Sequence, residues 1–165
     1  MVGDLVVRVA VWLGELPSFG WLIALIVLLS LPTTVIHELG HGIAANVLAK
    51  VPVRIELSFG AGEWSGVCRF VGDASISALT YGLIVAAGPA ASLLQGVVAT
   101  WLGAQAAPGT ASHSVLVTFA FAGYACGLLN LVPMMHGAQR SDGQFLLDLA
   151  RWVWSGRVPA WADAA

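Results

Sequence analysis

The chain has 165 residues, of which 58% are hydrophobic and only 10% charged, against about 25% charged in a typical soluble domain. A soluble fold of this length could not hide so much apolar surface, so the natural solvent is a bilayer. The net charge of −2, with no basic run, leaves no compositional argument for a nucleic-acid partner.

Residues 1–16 place Asp4, Arg8 and Glu15 near one helical face with valines, Leu5 and Trp12 elsewhere, which predicts an interfacial helix ended by Pro17. No basic n-region marks a cleavable signal peptide. From Phe19 the chain carries no charge before His37, long enough for a first span, and the absence of proline or charge from His41 to Ala49 extends that helix over 19–49. Pro32 should kink it one turn before the histidines.

Over 51–71 the period changes. Val53, Ile55, Leu57 and Phe59 alternate with Arg54, Glu56 and Ser58, GAG supplies a turn, and EWSGVCRFV reads as a partner strand, which together predict a β-hairpin. No Asp, Glu, Lys or Arg occurs between Asp73 and Arg140. That run must hold two spans, over 77–104 and 114–132, split at Pro108-Gly109. A polar loop follows Pro133, then an amphipathic helix over 143–154 with Asp148 and Arg151 on its wet side. Trp152, Trp154 and Trp161 suit a membrane interface. The expected fold is one α-helical membrane domain over 1–165: three spans, a small hairpin after the first, and interfacial helices at both ends.

Lys50, Arg54, Arg69, Arg140, Arg151 and Arg157 fall on one side of this arrangement and Arg8 on the other. The positive-inside rule makes the first side cytoplasmic and puts the N-terminus outside. The 18 steps from Phe19 to His37 span about 27 Å of helix, which sets His37 near the cytoplasmic edge of the hydrocarbon core. Cys68 and Cys126 lie far apart, form no CxxC, and suggest neither a disulfide nor a cysteine metal site.

The first span ends in His37-Glu38-Leu39-Gly40-His41. Histidines four apart project from one helical face and can share a metal ion, while Glu38 points beside it, within reach of a bound water. This is the arrangement of zinc hydrolases: zinc-bound water as nucleophile, Glu38 as general base. The bland account is a hydrogen-bonded histidine pair inside a bundle. A chance HExxH in a chain of this size has odds on the order of one percent or less, which favours the metal site. Gly40 and Gly42 leave the helix surface bare for a second backbone.

A catalytic zinc ordinarily has three protein ligands. Of the remaining candidates, His113 sits in the loop on the far side and Asp148 is mid-helix beside Arg151, which leaves His136 and Asp142. HELGH ending a first span, AGPAASLL in the second, and NLVP followed by SDG after the third together resemble the site-2 protease family of membrane metalloproteases, over most of residues 20–150. In that resemblance the aspartate of N-x-x-P-x-x-x-x-D-G is the third zinc ligand, mapping onto Asp142, with His136 the alternative. The asparagine maps onto Asn130, implied to position substrate or the oxyanion.

The chain departs from the pattern twice. Eight residues, MMHGAQRS, separate Pro133 from Asp142 where the pattern has four, and Ser92 stands where the second-span motif often has asparagine. Ser141-Asp142-Gly143-Gln144 also reads as a helix cap. Gly88-Pro89 with the small residues around it reads as a kink and a packing face, and Ser92 as part of that packing.

The leading expectation is a zinc-dependent endopeptidase that cuts membrane proteins, single-span ones first, within or at the cytoplasmic edge of a bacterial cell membrane. The alternative is a non-catalytic membrane protein that binds or transports zinc. A substrate adding as a strand to the 53–71 hairpin is expected alongside a plain lid role for it.

Overall fold

The computed structural model describes residues 19–60, 63–71, 76–136 and 139–155. The helix expected over 1–16 and Trp161 lie outside the described residues. Helix α1 covers Phe19–Ala44 and continues as one π-helical turn, Ala45–Ala49. The hairpin follows as β1 (Val53–Gly60) and β2 (Glu63–Phe70), then α2 (Ala78–Gly103) and α3 (Ala111–Leu131). A two-residue pair, β3 (Met135–His136) and β4 (Gln139–Arg140), precedes α4 (Asp142–Ser155).

Among the described residues, three helices are long and apolar enough to cross a membrane: Ile23–Ala49, Ala78–Gly103 and Ala111–Leu131. Large apolar side chains such as Leu28, Ile43, Leu94 and Leu128 remain exposed on them, as expected where hydrocarbon is the solvent. α1 runs through Pro32 without a break, which membrane helices tolerate when neighbours satisfy the freed carbonyl. It stops at Lys50, whose left-handed backbone (φ 54°) turns the chain before Pro52. Ser77 and Thr110 cap α2 and α3, their hydroxyls accepting from Thr80 N (3.1 Å) and His113 N (3.3 Å).

Small residues let the spans approach. A β-carbon on Gly40 would lie 2.5 Å from the Ala87 carbonyl oxygen, and one on Gly123 would lie 2.8 Å from that of Ser92. Where helices gain nothing from the hydrophobic effect against each other, such close packing is what holds them. A polar tie adds to it: buried Gln95 donates through Nε2 to Thr33 Oγ1 (2.9 Å) on α1 and to the Phe119 carbonyl (3.1 Å) on α3.

Two expectations need correction. His113 lies in the first turn of α3, not in a loop, and is buried there with Nδ1 3.2 Å from the Gly103 carbonyl. α3 starts earlier than expected because Thr110, behind Gly109 (φ 76°), is a ready cap. The polar stretch after Pro133 also holds the β3–β4 pair, with Met135 opposite Arg140 and His136 opposite Gln139. Two residues per strand are too few for an alternating pattern to announce them.

Candidate active site

His37 and His41 lie one turn apart on α1, with ring centroids 4.9 Å apart and planes at 81°. Asp142, the first residue of α4, comes up against both. His37 Nε2 is 3.0 Å from Asp142 Oδ2, His41 Nε2 is 3.4 Å from Asp142 Oδ1, and the two Nε2 atoms are 3.3 Å apart. Among the described residues, this is the one group of three metal-capable side chains whose ligand atoms all lie within 4.8 Å of one another.

Local structure explains why Asp142 arrives there. Ser141 caps α4, accepting from Gln144 N (3.2 Å) and Met134 N (2.9 Å) and donating to the Val132 carbonyl (2.7 Å). The cap anticipated from the sequence therefore also ties the start of α4 to the end of α3. Gly143 completes the joint by lying against the Leu131 carbonyl, where a β-carbon has no room. The cap and a ligand role for Asp142 are thus compatible, because the cap orients the aspartate. Burial alone would raise its carboxyl, but the two imidazoles beside it outweigh this and hold it below the ordinary carboxylate range.

The far sides of both rings fix which nitrogen faces inward. His41 Nδ1 is 2.8 Å from the Ile84 carbonyl, which can only accept, so Nδ1 carries a proton and, in the neutral ring, Nε2 presents a lone pair. His37 Nδ1 is 3.0 Å from Ser92 Oγ, which itself donates to Cys126 Sγ (3.5 Å) and is left to accept from His37. Two lone pairs and a carboxylate converging at about 3 Å repel unless protons or a cation stand among them. A tetrahedral centre about 2.0–2.1 Å from nitrogen and oxygen donors would set them about 3.3 Å apart, so the spacing and donor set fit zinc.

Glu38 is buried beside this group, and the Cys68 backbone amide donates toward its carboxyl. Strand β2 comes so close that a β-carbon on Gly66 would overlap the Glu38 side chain. His37, Glu38, His41, Asp142, Asn130 and one edge of β2 share a cavity of about 310 Å³. Cys68 lines it too, but burial and then the Glu38 charge push its thiol up to about 11, so it stands there as a neutral thiol. Asn130, on the wall of that cavity, donates through Nδ2 to the Cys126 carbonyl (3.0 Å). The His136 side chain lies outside the described set.

Comparison with protein-family models matches the Peptidase M50B-like family over residues 5–139. The chain belongs to that family, the site-2 proteases. Comparison with curated proteins and with solved structures returns no match. This M50B-like chain is an integral membrane protein of a peptidase family, and its His37–His41–Asp142 group could hold a metal. The family match stops short of Asp142, so the third corner rests on the geometry.

Two features of this M50B-like site escaped the sequence reading. Ser92, a packing residue by its place in its own span, is fully buried and touches the outer nitrogen of His37. Cys126 joins it at 3.7 Å. The departure from asparagine at position 92 was the available signal, since a hydroxyl fully buried in a membrane helix needs a partner. Gly88 is the second: a β-carbon there would overlap the His41 ring.

Proposed function

We propose that the protein is a zinc-dependent endopeptidase that hydrolyses peptide bonds of membrane proteins within or at the cytoplasmic edge of the bilayer. The observation that carries this reading is the convergence of His37 Nε2, His41 Nε2 and the Asp142 carboxylate beside buried Glu38, in one cavity at the end of the first span. Zinc held by His37, His41 and Asp142 would polarise the scissile carbonyl and bring the pKa of the attacking water to about 7.

Glu38 is the general base in this reading. It takes the proton from the attacking water and hands it to the leaving amine. Ser92 and the Ile84 carbonyl hold the two imidazoles in the tautomer that ligation needs. Asn130 positions the substrate backbone through its side-chain oxygen. The excess of Lys and Arg at the hairpin and α4 supports a cytoplasmic placement of that end.

The hairpin supports an extended substrate. Val71 N donates to the Pro52 carbonyl (2.9 Å), so by strand alternation Gly66, Cys68 and Phe70 turn their backbone groups away from β1. That outward edge, whose Cys68 amide already donates toward Glu38, runs along the cavity, where a substrate strand could pair with the remaining groups. Phe70→Pro removes one outward N–H without breaking the β1 ladder, and Phe70→Ala removes the ring that meets Tyr81 while keeping that N–H, so cleavage by the proline variant should fall about tenfold below the alanine variant, the scale of one unmade hydrogen bond. Equal turnover in the two purified variants would leave the hairpin as a lid only.

The ligand set has its own test. Asp142→Ala should weaken zinc binding by more than the roughly 10–100-fold typical of outer-shell changes, while His136→Ala keeps it. Metal content after dialysis against a graded chelator series reads this out. The reverse outcome would transfer the third corner to His136.

A further inference from the structure

The residues that lengthen the loop before Asp142 do more than span a gap. They include the β3–β4 pair, and β4 ends on Arg140, two residues before Asp142. Arg140 walls the same cavity as His37, Glu38 and Asp142. Its side chain is only 26% exposed, whereas Arg69, the other cation on that wall, is 63% exposed and paired with Glu56 at 3.3 Å.

Arg140 is held but not neutralised. Its Nη1 lies 3.5 Å from Asp148 Oδ2, and its guanidinium carbon stands 5.9 Å from the centre of the Phe145 ring. Asp148 is itself divided, accepting from Gln144 Nε2 at 2.9 Å and facing Arg151 at 3.7 Å. One carboxylate thus serves two guanidinium groups, so Asp148 alone does not neutralise Arg140, whose charge stands on the same wall as the carboxyls of Glu38 and Asp142. A guanidinium offers five donors in a planar fork, and these contacts with Asp148 engage Nη1 alone.

We infer that Arg140 is a carboxylate subsite: it binds an acidic side chain or the terminal carboxylate of the chain being cut. This rests on the peptidase reading of the adjacent site. The fork pairs with the carboxylate, and the short tether from Arg140 to Asp142 sets that contact close to the scissile bond. The inserted β3–β4 pair is what places the fork there. Selection for acidic substrates follows, with lysine at the same position repelled.

The test uses the full chain in detergent micelles, carrying Glu38→Gln so that no probe is consumed. The probes are fluorescent short alanine–valine peptides with a single Glu, Gln or Lys scanned along them, with free or amidated C-termini, and binding is read by anisotropy. With Arg140 present, a Glu peptide should bind about tenfold tighter than its Gln isostere at one or two positions, the scale of one charge-assisted pair. Arg140→Gln should remove the preference, and Arg140→Glu should turn it towards Lys, a gain that misfolding cannot produce. A preference for free over amidated termini with Glu and Gln alike would assign the terminal carboxylate. The inference is overturned if the Arg140 protein shows neither preference, because the probes bind alike or do not bind, or if both variants keep the parent profile. Cleavage by wild type is scored separately. If Glu38→Gln cut as well as wild type, the hydrolytic reading would fall while the binding preference stood.

Discussion

Glu38→Gln is expected to abolish cleavage while leaving the metal in place. The substitution keeps the shape of the side chain, so Gly66 still fits against it and a side-chain oxygen remains for the Cys68 amide. It removes only the capacity to take a proton from water. General-base catalysis is worth about 10²–10⁴-fold, and here the same group serves the leaving amine, so the loss should sit at or beyond the upper end. Co-expression with candidate single-span membrane proteins, followed by immunoblotting for uncut substrate, measures the effect. Metal content of the purified variant controls for collapse of the site. A site that stores or transports zinc has no use for a base at position 38. Wild-type behaviour of Glu38→Gln in both measurements would therefore favour that alternative over hydrolysis.

Gly88→Ala should nearly eliminate metal binding although the residue is no ligand. The added methyl would occupy the space of the His41 ring. The ring cannot simply move, because its Nδ1 is tied to Ile84 on the same helix at 2.8 Å. Nor can α2 retreat cheaply, since Ala87 and Ala91 lie against Gly40 in the same contact. Overpacking of this kind costs about 1–3 kcal/mol in stability, and ligand geometry suffers more, because a ring moved by an ångström no longer meets the other two donors. Gly82→Ala is the control on the same helix: its methyl would meet only the flexible end of Leu149, at 3.0 Å. Zinc affinity by competition with a chromogenic chelator, together with thermal unfolding, separates the two variants. Equal zinc affinity in Gly88→Ala and wild type would show that the α1–α2 contact does not set the geometry of His41.

Much of the architecture was legible in the chain because it depends on short-range pattern. An apolar run about as long as a bilayer is thick has few alternatives to a span, and the runs within Ile23–Ala49, Ala78–Gly103 and Ala111–Leu131 are of that kind. Alternation in VRIELSFG announces a strand because successive side chains face opposite ways. His37 and His41 could be paired on paper because a helix brings residues four apart to one face, whatever packs around it.

The rest of the site is a property of packing, and no local period encodes it. Asp142 lies 105 residues from His37, and sequence alone left it level with His136 until family resemblance favoured it. The β3–β4 pair is too short to carry a pattern, yet it decides where Arg140 stands. Ser92 and Gly88 read as helix-packing residues from their own span, and they are that too. Only the meeting of α1 with α2 shows that one touches the outer nitrogen of His37 and the other makes room for His41. Sequence by itself determined the solvent, the spans and the candidate chemistry of HELGH, because these follow from composition and helical spacing. Tertiary structure alone decided which distant groups complete and orient that chemistry, because contacts between spans depend on how whole helices cross.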